Sequence, residues 1–181
     1  GGGDGKTTAE QAGESELAGE KLAFGQPVFA QPALEKAKVV VAVEHDCLNL
    51  DAPTTYFTSA FSKRRKVAAD EDLDKMNRLY VVESQFSLTG DNADHRLRMK
   101  GSDVRQFASD LAAALGAMPG LNVVGNGGTV NKRAKFLAAV VKDLKAAGGA
   151  ALVVAGPRQP ASVQAPAALS TANLGRPSTG R

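Results

Sequence analysis

Apolar residues along this chain fall into two kinds of run. Short, β-branched runs with no polar face, Val39–Val43 (VVVAV), Arg78–Glu83 (RLYVVE) and Ala151–Ala155 (ALVVA), read as strands buried on both sides of a parallel sheet. Between them the period changes. Val104, Phe107, Ala108, Leu111, Ala112 and Leu115 form one helical stripe, which Gly116 stops. Leu137, Val140, Val141 and Leu144 form a second, with Lys132, Arg133, Lys135, Lys142 and Lys145 on its wet face; Asn131 is placed to cap it, and Gly148 and Gly149 to end it. A last helix runs from Ser162 towards Leu174, kinked at Pro166. Strand and helix in alternation predict an α/β fold: three layers, a mostly parallel sheet with helices on both faces.

The centre of the pattern is Met76–Asp103, MNRLYVVESQFSLTGDNADHRLRMKGSD. It reads as a strand ending in Glu83, a polar loop over Ser84–Asp91, a second strand over Ala93–Met99, and a Lys100-Gly101-Ser102-Asp103 turn that opens a helix. In α/β proteins such strand-loop-helix units often make nucleotide sites. Glu83 is placed to accept bonds from a ribose hydroxyl or a guanine edge. Ser102 is the expected N-cap, and Asp103 complements the positive helix end. Capping alone accounts for Asp103 without a ligand. The first strand ends in Glu44-His45-Asp46-Cys47, a polar cluster where open α/β sheets place ligands.

Residues 1–24 are rich in Gly, Glu, Ser and Thr and are expected to be flexible, because they cannot bury enough surface to offset ordering. Gly5-Lys6-Thr7-Thr8 matches the end of a P-loop, but the motif's first glycine would precede residue 1 and no strand leads in. Residues 25–175 then form one domain and 176–181 a tail. Phe24–Val28 reads as a short extended segment, and Tyr56, Phe57 and Phe61 as an amphipathic turn or two ahead of an acidic connection. The glycines of residues 120–128 mark a loop. Its Gly125-Asn126-Gly127-Gly128 follows no strand and is read as a plain loop, not an anion cradle.

The 181 residues carry a net charge of +3 and 5% aromatic residues, with no tryptophan. Stacking platforms for nucleic acid are therefore scarce, and Lys63-Arg64-Arg65-Lys66 is followed at once by acidic residues. No apolar run reaches the roughly 20 residues of a membrane-crossing helix. The N-terminus has neither the basic start nor the apolar core of a secretory signal, and its first residue, Gly, points to processing, tagging or a gene fragment. One cysteine, Cys47, cannot supply an iron–sulfur cluster, and no second pair matches the spacing of His45 and Cys47 for a metal site. With two histidines, at 45 and 95, and no triad spacing, nothing nominates a catalytic residue.

The run MNRLYVVES, SLTG and ADHRL, with the G-S-D turn, resembles the molybdopterin-oxidoreductase-like domain of the iron–sulfur subunit of bacterial alternative complex III, a quinol-oxidising respiratory assembly. More distantly it is similar to the guanosine-binding region of the dimethyl sulfoxide reductase and formate dehydrogenase superfamily. The resemblance runs from about Glu35 to Gly175 and implies a Rossmann-like lobe. It implies cofactor contacts at Glu83, Thr89, Gly101, Ser102 and Asp103, and an F…R pattern met by Phe61 with Arg64 or Arg65. It also implies a peripheral place on the periplasmic side of the bacterial inner membrane, among other lobes of the same subunit and other subunits. Three positions depart from the superfamily's pattern. Glu44-His45-Asp46 replaces Gly-x-Asn, Lys100 replaces a proline, and Gln164 replaces a histidine. Carboxylates repel a pyrophosphate, so the first departure favours a scaffold that has lost its cofactor. The alternatives are a fragment that still binds the guanosine end of molybdopterin guanine dinucleotide, and a generic nucleotide-binding module.

Overall fold

The computed structural model describes residues 8–26, 34–51, 54–118 and 130–175. Four strands, β1 (Val39–Val43), β2 (Arg78–Glu83), β3 (His95–Arg98) and β4 (Ala151–Ala155), form one sheet in the order β3-β2-β1-β4. Every neighbouring pair is parallel, with Val41 opposite both Tyr80 and Val153. The two inner strands are buried along almost their whole length, which is why they read as unbroken apolar runs.

The pleat divides the core into two layers. Val39, Val41, Val43, Tyr80, Val82 and Leu97 face α4 (Gly101–Ala114), α5 (Val130–Ala147) and α6 (Ala161–Leu174). Val40, Ala42, Leu79 and Val81 face the other way, onto Phe57, Ala60 and Phe61 of α2 (Thr54–Lys63) and onto Leu34, Cys47 and Leu48. The protein is therefore α/β, with helices on both faces of an all-parallel sheet, a Rossmann-like arrangement. The predicted stripe of α4 is buried from Val104 to Leu115, and Leu137, Val140 and Leu144 of α5 are buried with it. Gly116 follows α4 with φ of 77°, the left-handed conformation that made a glycine a stop signal. A one-turn α3 (Leu88–Asp91) forms within the expected loop after β2, capped by the Ser87 hydroxyl, which accepts from Gly90 N at 3.0 Å.

Four expectations are corrected. Thr8–Phe24 forms a helix, α1, that packs on α6 instead of staying flexible. Gly19 makes that contact possible, since a Cβ there would stand 2.2 Å from Cβ of Gln164. Ser102 does not cap α4: the helix starts at Gly101, Lys100 occupies the cap position, and no side chain bonds the first turn. Asn131 lies inside α5, which begins at Val130. Phe24, expected to open an extended segment, instead ends α1, and the rest of that segment beyond Gln26, the P-loop-like residues before Thr8, the glycine-rich loop over 119–129 and the tail over 176–181 lie outside the described residues.

Candidate functional site

Strand order reverses between β1 and β4, and α/β proteins bind ligands in the crevice this leaves at the strands' carboxyl ends. Here backbone fills that place. Gly156 N donates to Val43 O at 2.9 Å, and a Cβ on Gly156 would stand 1.9 Å from Glu44 O. Gln164, standing where the resemblance expects histidine, is buried and donates to Gly156 O at 2.6 Å, holding the β4 loop in place. Glu44 takes φ of 49°, uncommon for a residue with a side chain, and turns the chain so that its Oε1 accepts Ser84 N–H at 2.7 Å. It thereby ties the end of β1 to the end of β2.

The next residues knit the β1 loop to α3. Asp46 Oδ1 accepts from both the amide and the hydroxyl of Thr89, at 3.0 and 2.7 Å, while the Thr89 hydroxyl accepts Leu48 N–H at 3.0 Å. Thr89 is fully buried, so a hydroxyl read as a cofactor contact is spent in both directions within the chain. Asp51 accepts Asp46 N–H at 2.8 Å and pairs with Arg158 at 3.4 Å. Burial pushes the neighbouring Cys47 thiol up to about 11, which leaves it protonated and unreactive at neutral pH. The His45 imidazole is held below its ordinary value by burial, against the pull of Asp51 and Asp46, and its Nδ1 is buried without a partner.

Glu83 is buried, and each of its oxygens has a partner of this chain. Arg96 Nε donates to Oε1, and the Ser87 hydroxyl donates to Oε2 at 2.6 Å. The Arg96 guanidinium lies over Phe86, 4.7 Å from the ring centre. Gly101, Ser102 and Asp103 are exposed on the first turn of α4, beside Ser84; a Cβ on Gly101 would be 4.0 Å from Ser84 Oγ. The Ser102 hydroxyl donates to Asp103 Oδ1 at 3.2 Å. The five candidate residues thus lie at one end of the sheet as two groups. Glu83 and Thr89 are buried at α3, bonded to Ser87 and to Asp46, while Gly101–Asp103 face solvent.

Of the two arginines open to the F…R pattern, Arg65 stands with Phe61, its guanidinium 4.8 Å from the ring centre. It donates to Asn77 Oδ1 at 2.8 Å and forks onto Asp94, whose Oδ2 also accepts Leu79 N–H at 2.7 Å. Arg64 instead donates to the carbonyls of Glu35 and Lys36. His95 is exposed and stacks on Tyr80 with ring centres 4.8 Å apart. Asp46 belonged to the polar cluster after β1, and Arg96 was not among the candidates; the alternation of HRLRM marks Arg96 as facing away from Leu97, but not what it meets.

Among the described residues no three His, Cys, Asp or Glu side chains could hold a metal ion, and no helix is long and apolar enough to cross a membrane. No known protein-family model matches the chain, and no curated protein matches it.

Proposed function

We propose that this chain is a non-catalytic α/β domain of the molybdopterin-oxidoreductase kind, serving as a scaffold or docking element in a quinol-oxidising respiratory electron-transfer complex. Its partners are then other lobes of the same subunit and other subunits, at the periplasmic face of the membrane. The resemblance supplies the family, and the state of Glu83 carries the choice of scaffold over cofactor site. The carboxylate that would receive a ribose or guanine already holds a guanidinium and a hydroxyl in a buried place. Removing either partner would leave a buried charge short of a bond, which costs more than a solvated ligand contact returns. The backbone contact between Glu44 and Gly156 supports the same reading, since it fills the place a pyrophosphate would take.

Calorimetric titration with GMP tests it. The scaffold reading expects no saturable heat up to about 1 mM, a concentration that detects binding of only some 4 kcal/mol. Saturable binding weakened by Glu83→Gln would overturn it. One observation favours a second reading, retention of the guanosine end alone: the first turn of α4 is exposed, lacks a side-chain cap, and carries Asp103 beside Ser84. Binding lost in Asp103→Ala but kept in Glu83→Gln would identify it.

A further inference from the structure

The outer face of α5 carries one kind of charge. Between residues 132 and 147 every exposed residue of this helix is a lysine or an alanine. The lysines are Lys132, Lys135, Lys142 and Lys145, with Ala134, Ala138, Ala139 and Ala146 beside them. The one acid of the helix, Asp143, is taken by Arg78 and the Tyr80 hydroxyl. None of the four lysines makes an ion pair among the described residues.

A helix face that only has to stay wet commonly mixes its signs, with an acid one turn from each lysine. Here Lys132 and Lys135 stand three residues apart, as do Lys142 and Lys145, a spacing at which like charges repel. The segregation holds for the chain as a whole. Its net charge is +3 and these four side chains supply +4, so all its other residues together sum to −1. The positive excess of the protein is thus gathered on one surface of one helix.

The shape of that surface narrows the partner. At 18 residues α5 is about 27 Å long. The alanines keep its relief low, so that four ammonium groups on long stems can meet a plane together. No aromatic ring and no arginine is exposed on it, so it has nothing to stack on a base or to fork onto a base edge. None of the large exposed apolar residues lies on α5 either, so contact would stay at the level of headgroups without insertion.

We propose that α5 docks this chain on an anionic phospholipid surface, with Lys132, Lys135, Lys142 and Lys145 among the headgroup phosphates. Each lysine close to such a surface adds its own increment of attraction, and salt screens it. The inference goes beyond the scaffold reading and is drawn from α5 alone, so vesicle binding and GMP binding succeed or fail separately.

The test is co-sedimentation of the full chain with vesicles of phosphatidylcholine containing about one-third phosphatidylglycerol, and with phosphatidylcholine alone. Binding is expected only to the anionic vesicles, and is expected to be lost as sodium chloride rises from about 50 to about 500 mM. Together, Lys135→Gln, Lys142→Gln and Lys145→Gln should weaken it at least about tenfold. Lys63→Gln, Lys66→Gln and Lys75→Gln remove the same charge from and after α2, the helix on the other face of the sheet, and should weaken it less than about threefold. Equal losses in the two triple variants, with both folded by circular dichroism, overturn the proposal, because net charge and not this face would then be responsible. So does equal binding to the two kinds of vesicle, or none to either at low salt. Tighter binding to polyuridine RNA than to anionic vesicles, lost in the α5 variant, would give the face to nucleic acid instead.

Discussion

Gly90 lies against the carboxylate of Glu83, so that a Cβ on residue 90 would stand 2.0 Å from Oε1 and 2.8 Å from Oε2. The glycine is therefore not a turn device. It is the floor on which a buried carboxylate rests while Arg96 and Ser87 bond it. Gly90→Ala must displace that carboxylate, and is expected to lower stability by about 1–3 kcal/mol, the cost of overpacking. Arg96→Met leaves the buried charge with the Ser87 hydroxyl and should cost about 3 kcal/mol. Arg78→Met, which breaks a half-exposed pair with Asp143, should cost about 1 kcal/mol or less. Urea denaturation of the three variants checks the order, and an Arg96 variant no weaker than the Arg78 variant would remove the structural role given to Glu83.

Thr171→Val keeps the shape of the side chain but removes both bonds to Val153. The freed amide and carbonyl are partly buried against α6, so a loss of about 1–3 kcal/mol is expected. Thr171→Ser retains the hydroxyl and should lose less than half as much. A loss in Thr171→Ser with little or none in Thr171→Val would show that the methyl group, not the hydroxyl, holds the edge of β4.

Lys100 sits at the N-cap of α4 with extended backbone, φ −69° and ψ 142°, and its side chain makes no capping hydrogen bond. Lys100→Ser supplies an oxygen for the first-turn amides and is expected to raise stability by about 1 kcal/mol. Asp103→Ala should lower it by about 0.5 kcal/mol, through the helix dipole alone. Thermal melting of both variants gives opposite signs if α4 begins where the structure places it; matching signs would argue for a different start.

Burial depresses the His45 imidazole below its ordinary value of 6.5. In such a case the native ring is neutral where the unfolded ring already takes a proton. The contribution of His45 is fully present above the unfolded value and is lost as pH falls through the folded one. Between about pH 7 and about pH 5.5 the native chain should therefore lose stability that His45→Gln does not lose. Parallel urea midpoints for the two proteins across that range would contradict the burial of this ring.

Most of the fold was legible because its signals are local. An unbroken VVVAV or ALVVA has no amphipathic alternative at that length, and the stripe from Val104 to Leu115 has only one face to bury. What escaped depends on contacts distant in sequence. No hydrophobic period announces α1, because its seat on α6 is made by the absence of a side chain at Gly19. The cap of α4 moved from Ser102 to Lys100 because the backbone turn, not the residue preference, sets where a helix begins. At the candidate site, Glu83 was found as a strand-end acid, but its partner depends on register. Arg98 is its neighbour across the ladder, yet Arg96, two residues back on the same face, takes the carboxylate. Thr89 was marked by resemblance, and only the fold shows its hydroxyl between Asp46 and Leu48.

The central claim is that this end of the sheet was kept for assembly and not for a cofactor, and the direct measurement is the pterin and molybdenum content of the native polypeptide, purified with whatever travels with it. The account predicts neither at stoichiometric level, with haem- and cluster-bearing subunits co-purifying. Stoichiometric pterin that is lost in Asp103→Ala, with the melting temperature unchanged, would contradict it and make Gly101–Asp103 a working cofactor site.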